Sequence, residues 1–116
     1  MQTPKLFTLL PEAYVSTPDG MEIDKNGDMI LSCPNFADMS MPSCICRIDK
    51  EGHVTKWFDV PLNEETGEAR SMGIAFGPDG DLYIVDNQGW TGRPELIRQG
   101  RILRVHFENG RVSKVT

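Results

Sequence analysis

The chain has 116 residues, 39% apolar and 25% charged, enough for one domain with a real core and too few for two ordinary ones. A net charge of −5 and the absence of any basic run argue against a nucleic-acid surface. No stretch has the roughly 20 apolar residues of a membrane span, and Met1–Leu10 lacks a signal-peptide core, so a cytoplasmic protein is expected.

Helical periodicity is almost absent. Short alternating runs recur instead, separated by Asn-Gly, Asp-Gly and Glu-Gly pairs. In chain order, strands are predicted at Gly20–Asp24, Asp28–Cys33, Cys44–Asp49 and Val54–Val60. A second set follows at Met72–Phe76, Asp81–Asp86, Arg101–Phe107 and Arg111–Val115. Asn26-Gly27 suits the two positive-φ positions of a type I′ hairpin turn. Polar loops span Asn35–Ser43 and Gln88–Gln99.

The two sets are one repeat. Gly20 and Gly27 recur as Gly73 and Gly80, and Met29-Ile30-Leu31 falls on Leu82-Tyr83-Ile84, all 53 residues on. Beyond the polar loop, Ile45, Arg47 and Ile48 match Ile102, Arg104 and Val105 at an offset of 57. Four antiparallel strands in about 50 residues is the anatomy of a β-propeller blade. The expected fold is therefore all-β, a propeller segment with one blade at 17–61 and a second at 70–116. Lys5–Pro11 is similar to Lys56–Pro61 and is expected to be the outer strand (5–11) of a preceding blade. Two blades leave two apolar faces open, so either a longer protein supplies the rest or copies assemble, three copies making six blades. The fragment is the favoured reading.

In a propeller the first strand starts, and the second ends, at one mouth of the central channel. Asp19, Ser71, Met72, Pro34, Asn35, Asp86 and Asn87 are expected there. Cys33, Cys44 and Cys46 are read as reduced, buried thiols. The side chains of Cys44 and Cys46 are expected on opposite faces of their strand, and with no further cysteine pair a zinc site is not expected. His53 and His106 fall in outer-strand regions and are expected at the surface, and no catalytic Ser–His–Asp or Cys–His pattern stands out. Asp24–Asp28 lacks the closing Glu of a calcium loop and reads as a hairpin turn.

Thr17-Pro18-Asp19-Gly20-Met21, followed by the Asn-Gly turn, resembles the PDGM signature of the gluconolactonase/senescence-marker-protein (regucalcin) family of six-bladed propellers. Ser71–Asn87 resembles another blade of such proteins, and the likeness runs over essentially the whole chain. NHL-repeat and streptogramin-lyase-like propellers share the wording of Gly73–Asp86. The resemblance implies a divalent cation, calcium foremost, at the channel mouth, where it polarises a lactone or ester carbonyl and activates water. It implies Asp19 as a metal ligand. Met72 stands at the equivalent place and cannot hold a hard cation. It is expected to wall the substrate pocket with Ser71, Asn87 and Trp90, the last as an apolar lid. The catalytic base and the remaining ligands are not assigned. The implied function is a metal-dependent lactonase or ester hydrolase acting on a small molecule. The alternative is a non-catalytic NHL-type propeller that binds a protein or small ligand, and a lyase acting on a cyclic ester is a third class.

Overall fold

The computed structural model describes residues 2–116. Eight strands follow in chain order: β1 (Met21–Ile23), β2 (Met29–Cys33), β3 (Cys44–Ile48), β4 (Val54–Asp59), β5 (Ser71–Phe76), β6 (Leu82–Asp86), β7 (Arg101–Glu108) and β8 (Arg111–Val115). They form two four-stranded antiparallel sheets with sequential order, β1-β2-β3-β4 (sheet I) and β5-β6-β7-β8 (sheet II). A 3₁₀ turn at Pro94–Leu96 interrupts the long loop before β7. Among the described residues no helix is long and apolar enough to cross a membrane.

The hairpin turns follow from their residues. At Asp24–Asp28 the Gly27 N–H donates to the Asp24 carbonyl (3.0 Å) and the Asp24 N–H to the Asp28 carbonyl (2.9 Å). Gly27 takes φ +87°, while Asn26 stays at negative φ. This three-residue loop, a type I turn closed by a left-handed glycine, replaces the expected type I′ turn. The Asp24 carboxylate supports this turn by accepting the Asn26 and Asp28 N–H groups (2.9 and 3.0 Å). Asp49–His53 and Gly77–Asp81 repeat the backbone pattern with Gly52 and Gly80. The type I′ turn occurs instead at Asn109-Gly110, where φ is +54° and +75° and Glu108 pairs with Arg111.

Strand alternation divides each sheet into two faces. Ile30 and Ile45 of sheet I meet Leu82, Ile84, Leu103 and Val105 of sheet II in the main core, with Val60 and Ala69 from the connection. The outer rim of this interface is aromatic. A bulge in β4 leaves Trp57 extra, because Ile45 pairs with Phe58 and Cys46 with Lys56. Both Trp57 and Phe58 then reach Phe107, with Trp57 and Phe107 stacked at 4.4 Å and 12°. The Trp57 indole N–H donates to the Gly110 carbonyl (2.9 Å), tying β4 to the β7–β8 turn.

The opposite face of sheet I carries a second cluster, Leu31, Cys33, Cys44, Cys46 and Ile48. It is roofed by the N-terminal segment through Leu10, Tyr14 and Val15. Residues 5–11 carry no strand pairing. Thr8 donates its hydroxyl to the Gly52 carbonyl (2.7 Å), and Leu6 and Leu9 remain exposed. Cys44 and Cys46 lie on the same face, with sulfurs 3.8 Å apart, not on opposite ones. Residues two apart on a strand share a face, so the alternation itself required this.

Candidate functional site

β1 and β5 start, and β2 and β6 end, at one end of the two sheets. Both inner strands begin with the same irregularity. The Asp19 N–H donates to the Ser32 carbonyl (2.8 Å) and the Ser32 N–H donates to the Gly20 carbonyl (2.8 Å), so two residues oppose one. In β5 the register shifts in the same way between Ser71, opposite Asp86, and Ile74, opposite Ile84. Bulges of this kind re-aim a side chain at a sheet's rim. Gly20 is required at its bulge because β5 crosses directly over it. A Cβ there would stand 2.9 Å from the Met72 carbonyl oxygen and 3.2 Å from Gly73 Cα. Met72, half-buried, therefore lies beside the Asp19–Gly20 peptide.

The expected site residues fall into two groups. Asp19 is exposed, and its carboxylate accepts no hydrogen bond from any described residue. Ser71 is fully buried, and its hydroxyl lies 2.8 Å from that of Ser32 and 2.9 Å from that of Ser43. That serine trio joins the sheets and leaves Ser71 no surface to offer a ligand. Asn87 and Trp90 come together elsewhere, in an open groove of about 670 Å³ with Val85, Ile97 and Ile102. Trp90 is 66% exposed and its ring is 5.5 Å from that of Phe36. The Asn87 carboxamide oxygen accepts the Gly89 N–H (2.8 Å), which shapes the loop.

Several buried polar residues organise this end. Asn35 accepts the Ser16 and Thr17 N–H groups (2.9 and 3.2 Å) and donates to the Tyr14 and Pro42 carbonyls (3.1 and 2.7 Å). Gln88, 53 residues on, donates to the Glu68 carbonyl and the Asp86 carboxylate, both at 2.9 Å. Each amide clamps the chain entering the first strand of its sheet. Arg70, 4% exposed, reaches from sheet II into the Pro34–Met41 loop of sheet I and donates to the carbonyls of Pro34, Met39 and Met41. Asn35 was expected at this mouth, and the repeat offset could have found Gln88. Arg70 has no counterpart that would have marked it, since Thr17 occupies the equivalent place.

A further set of ion pairs lies at the far end of the sheets. Burial would raise the Asp24 carboxyl, but hydrogen bonds from Arg47 and the Asp28 and Asn26 N–H groups hold it below the usual carboxylate range. Arg47 also donates to Asp28 at 3.1 Å and lies over the Trp57 ring. In sheet II, hydrogen bonds from His106 (2.7 Å) and then Arg104 (2.6 Å) hold Asp81 low. His106 is thus exposed, as expected, and engaged with Asp81. Comparison of the chain with protein-family models, curated proteins and solved structures found no match in any of the three.

Proposed function

We propose that the two sheets are successive blades of a β-propeller whose channel mouth binds a divalent cation through Asp19 and hydrolyses a small lactone or ester. Head-to-tail repetition supports the propeller. The sheet I face that meets sheet II carries Ile30, Ser32, Ile45 and Arg47. Its equivalents, Tyr83, Val85, Ile102 and Arg104, lie on the uncovered face of sheet II, where Val85 is 45% and Ile102 60% exposed. A third sheet of the same kind would cover them. Met21 and Ile23, 56% and 50% exposed, offer the complementary surface on sheet I. The missing sheets come from remaining blades of the same protein or from further copies, three copies completing six blades.

The observation that carries the site is the unpartnered carboxylate of Asp19 on a bulge at the rim. A hard cation takes oxygen donors, single ligands from several blades converge on the axis, and the bound ion polarises the carbonyl and activates water. Met72 stands at the equivalent bulge as an apolar wall. Calcium titration followed by calorimetry tests the reading. Asp19→Asn is expected to abolish the heat of binding while shifting stability by less than about 0.5 kcal/mol, as at other exposed sites. Unchanged calcium affinity in that variant would sink the ligand assignment. Light scattering tests the assembly: a mass of three times 13.0 kDa supports closure by copies, and a monomer places the other blades elsewhere. A second reading, a non-catalytic propeller binding a protein or small ligand, is favoured by the exposed Trp90 beside the groove. Ligand binding that survives Asp19→Asn and fails in Trp90→Ala would select it.

A further inference from the structure

Cys33 ends β2, directly opposite Cys44, which begins β3 with Cys46 two residues on. All three thiols therefore project from one face of sheet I. The Cys33 and Cys46 sulfurs are 3.9 Å apart and those of Cys44 and Cys46 3.8 Å, and all three lie within 4.8 Å of one another. Each cysteine is fully buried. A thiolate sits about 2.3 Å from a bound zinc ion, so sulfurs sharing one ion of that size stand roughly 3.8 Å apart in a tetrahedral set and 4.0 Å in a trigonal one. Two of the three separations match such a set.

The surroundings narrow the cation. Cys46 has only the other two sulfurs as partners, and Cys44 reaches a single strong acceptor, the Tyr14 carbonyl, at 3.5 Å. The chain has three cysteines in all, and its two histidines are exposed in outer strands or turns. Closed zinc sites take four nitrogen or sulfur ligands, and no fourth is at hand. Soft thiolates without a fourth donor suit copper(I). Lys56, paired with Cys46 across β3 and β4, stands beside the site with its ammonium bound to Asp59 at 3.0 Å. An ion reaches the sulfurs only when the segment above them lifts, since all three are fully buried. The roof of Leu10, Tyr14 and Val15 belongs to a segment without strand pairing, held by the Tyr14 hydroxyl on the Val54 carbonyl (3.3 Å) and by the Asn35 amide.

We infer that Cys33, Cys44 and Cys46 form a buried three-sulfur site for a soft, thiophilic cation, with copper(I) the fitting ion. On binding, each ligating sulfur loses its proton to solvent and forms one sulfur–copper bond, with no change of oxidation state. The site makes no use of the Asp19 carboxylate, although Cys33 ends β2 at the same end of the sheet.

The test is anaerobic titration of the reduced chain with copper(I) against a chromophoric chelator, followed by X-ray absorption on the loaded protein. One ion per chain in a shell of three sulfurs at about 2.3 Å is expected. Cys46→Val, close in volume, should lower affinity by more than the roughly 10–100-fold that loss of a mere supporting partner costs. Thiol labelling of the wild-type chain gives a readout that needs no variant to fold, because copper(I) should protect all three cysteines together. Equal affinity in Cys46→Val, a two-sulfur shell, labelling unaffected by copper(I), or tighter retention of zinc in a four-ligand shell would each overturn the assignment.

Discussion

Where β2 ends and β3 begins, sheet I carries Cys33, Cys44 and Cys46, and sheet II carries Asp86, Arg101 and Leu103 at the same register positions of β6 and β7. In sheet II the pair is ionic. Asp86, fully buried, accepts hydrogen bonds from Arg101, from the Arg70 N–H at 2.6 Å and from Gln88 at 2.9 Å. In sheet I the same corner is a knot of thiols under an apolar roof. The backbone does not dictate which solution is used. What differs is the neighbour: Asp86 has a cation, a backbone donor and an amide to satisfy it, while Cys33 faces other sulfurs. A repeat can conserve geometry while the chemistry of an equivalent position changes, and Asp19 against Met72 is another instance.

The largest effect should come from moving the sheet II solution into sheet I. Cys33→Asp buries a carboxylate with no cation opposite and is expected to cost about 3–5 kcal/mol. Adding Cys44→Arg supplies the partner, and the double substitution should be less destabilised than the sum of the singles by about 1–3 kcal/mol. Urea denaturation of the four proteins measures the coupling. Strict additivity would break the equivalence of the two corners. In sheet II, Asp86→Ala should cost less than Cys33→Asp, because the Arg101 it leaves behind is partly exposed and can reach water.

The equivalent glycines sharpen the comparison at smaller cost. A Cβ on Gly20 collides with backbone of β5, whereas one on Gly73 meets only Val85 at 3.9 Å. Gly20→Ala is expected to lose about 1–3 kcal/mol, the usual cost of overpacking. Gly73→Ala should be neutral or gain up to about 1 kcal/mol, from lower chain entropy in the unfolded state. Thermal melts distinguish them, and equal losses would show that the glycines serve the bulge itself and not the sheet that packs on it. If another sheet covers sheet II as proposed, Gly73→Ala should also weaken assembly, read by light scattering, without lowering the stability of the isolated chain.

All eight strands were legible in the sequence, because alternation and glycine turns are local signals that each sheet states twice. The sequential antiparallel order of each sheet followed from the same spacing. The turn type at Asn26-Gly27 differs from expectation because the strands are paired through Asp24 and Asp28 around a three-residue loop, a register the Asn-Gly pair alone does not state. Local pattern also gave no warning of the β4 bulge: Trp57-Phe58 reads as two opposite faces, and only packing against Phe107 draws both rings to one side. Of the candidate residues, Asp19 is exposed at the rim, and Asn87 and Trp90 line one groove. The burial of Ser71 depends on Ser32 and Ser43, distant in sequence, so a hydroxyl that reads as available is consumed between sheets. Arg70 escaped notice for the same reason, since its acceptors are carbonyls of another sheet's loop.

The smallest expected effect lies at the far ends. Arg47 pairs with Asp24 and Asp28, and its equivalent Arg104 with Asp79 and Asp81, although of these carboxylates only Asp28 and Asp81 share a repeat position. Asp24 and Asp81 are both held below the usual carboxylate range. A depressed folded-state carboxyl contributes stability that is present above the unfolded value of about 3.9 and is lost as pH falls through the folded value. Stability should therefore drop on acidification, and Asp24→Asn and Asp81→Asn should each flatten part of that limb while converging with the wild type at the lowest pH. Salt separates the two. Arg104 is 51% exposed, and Arg47 is 27% exposed beneath the Trp57 ring. Added salt screens exposed pairs more, so it should shrink the contribution of Asp81 before that of Asp24. Equal salt sensitivity in urea midpoints of the two variants would mean that the aromatic rim gives sheet I no extra shielding.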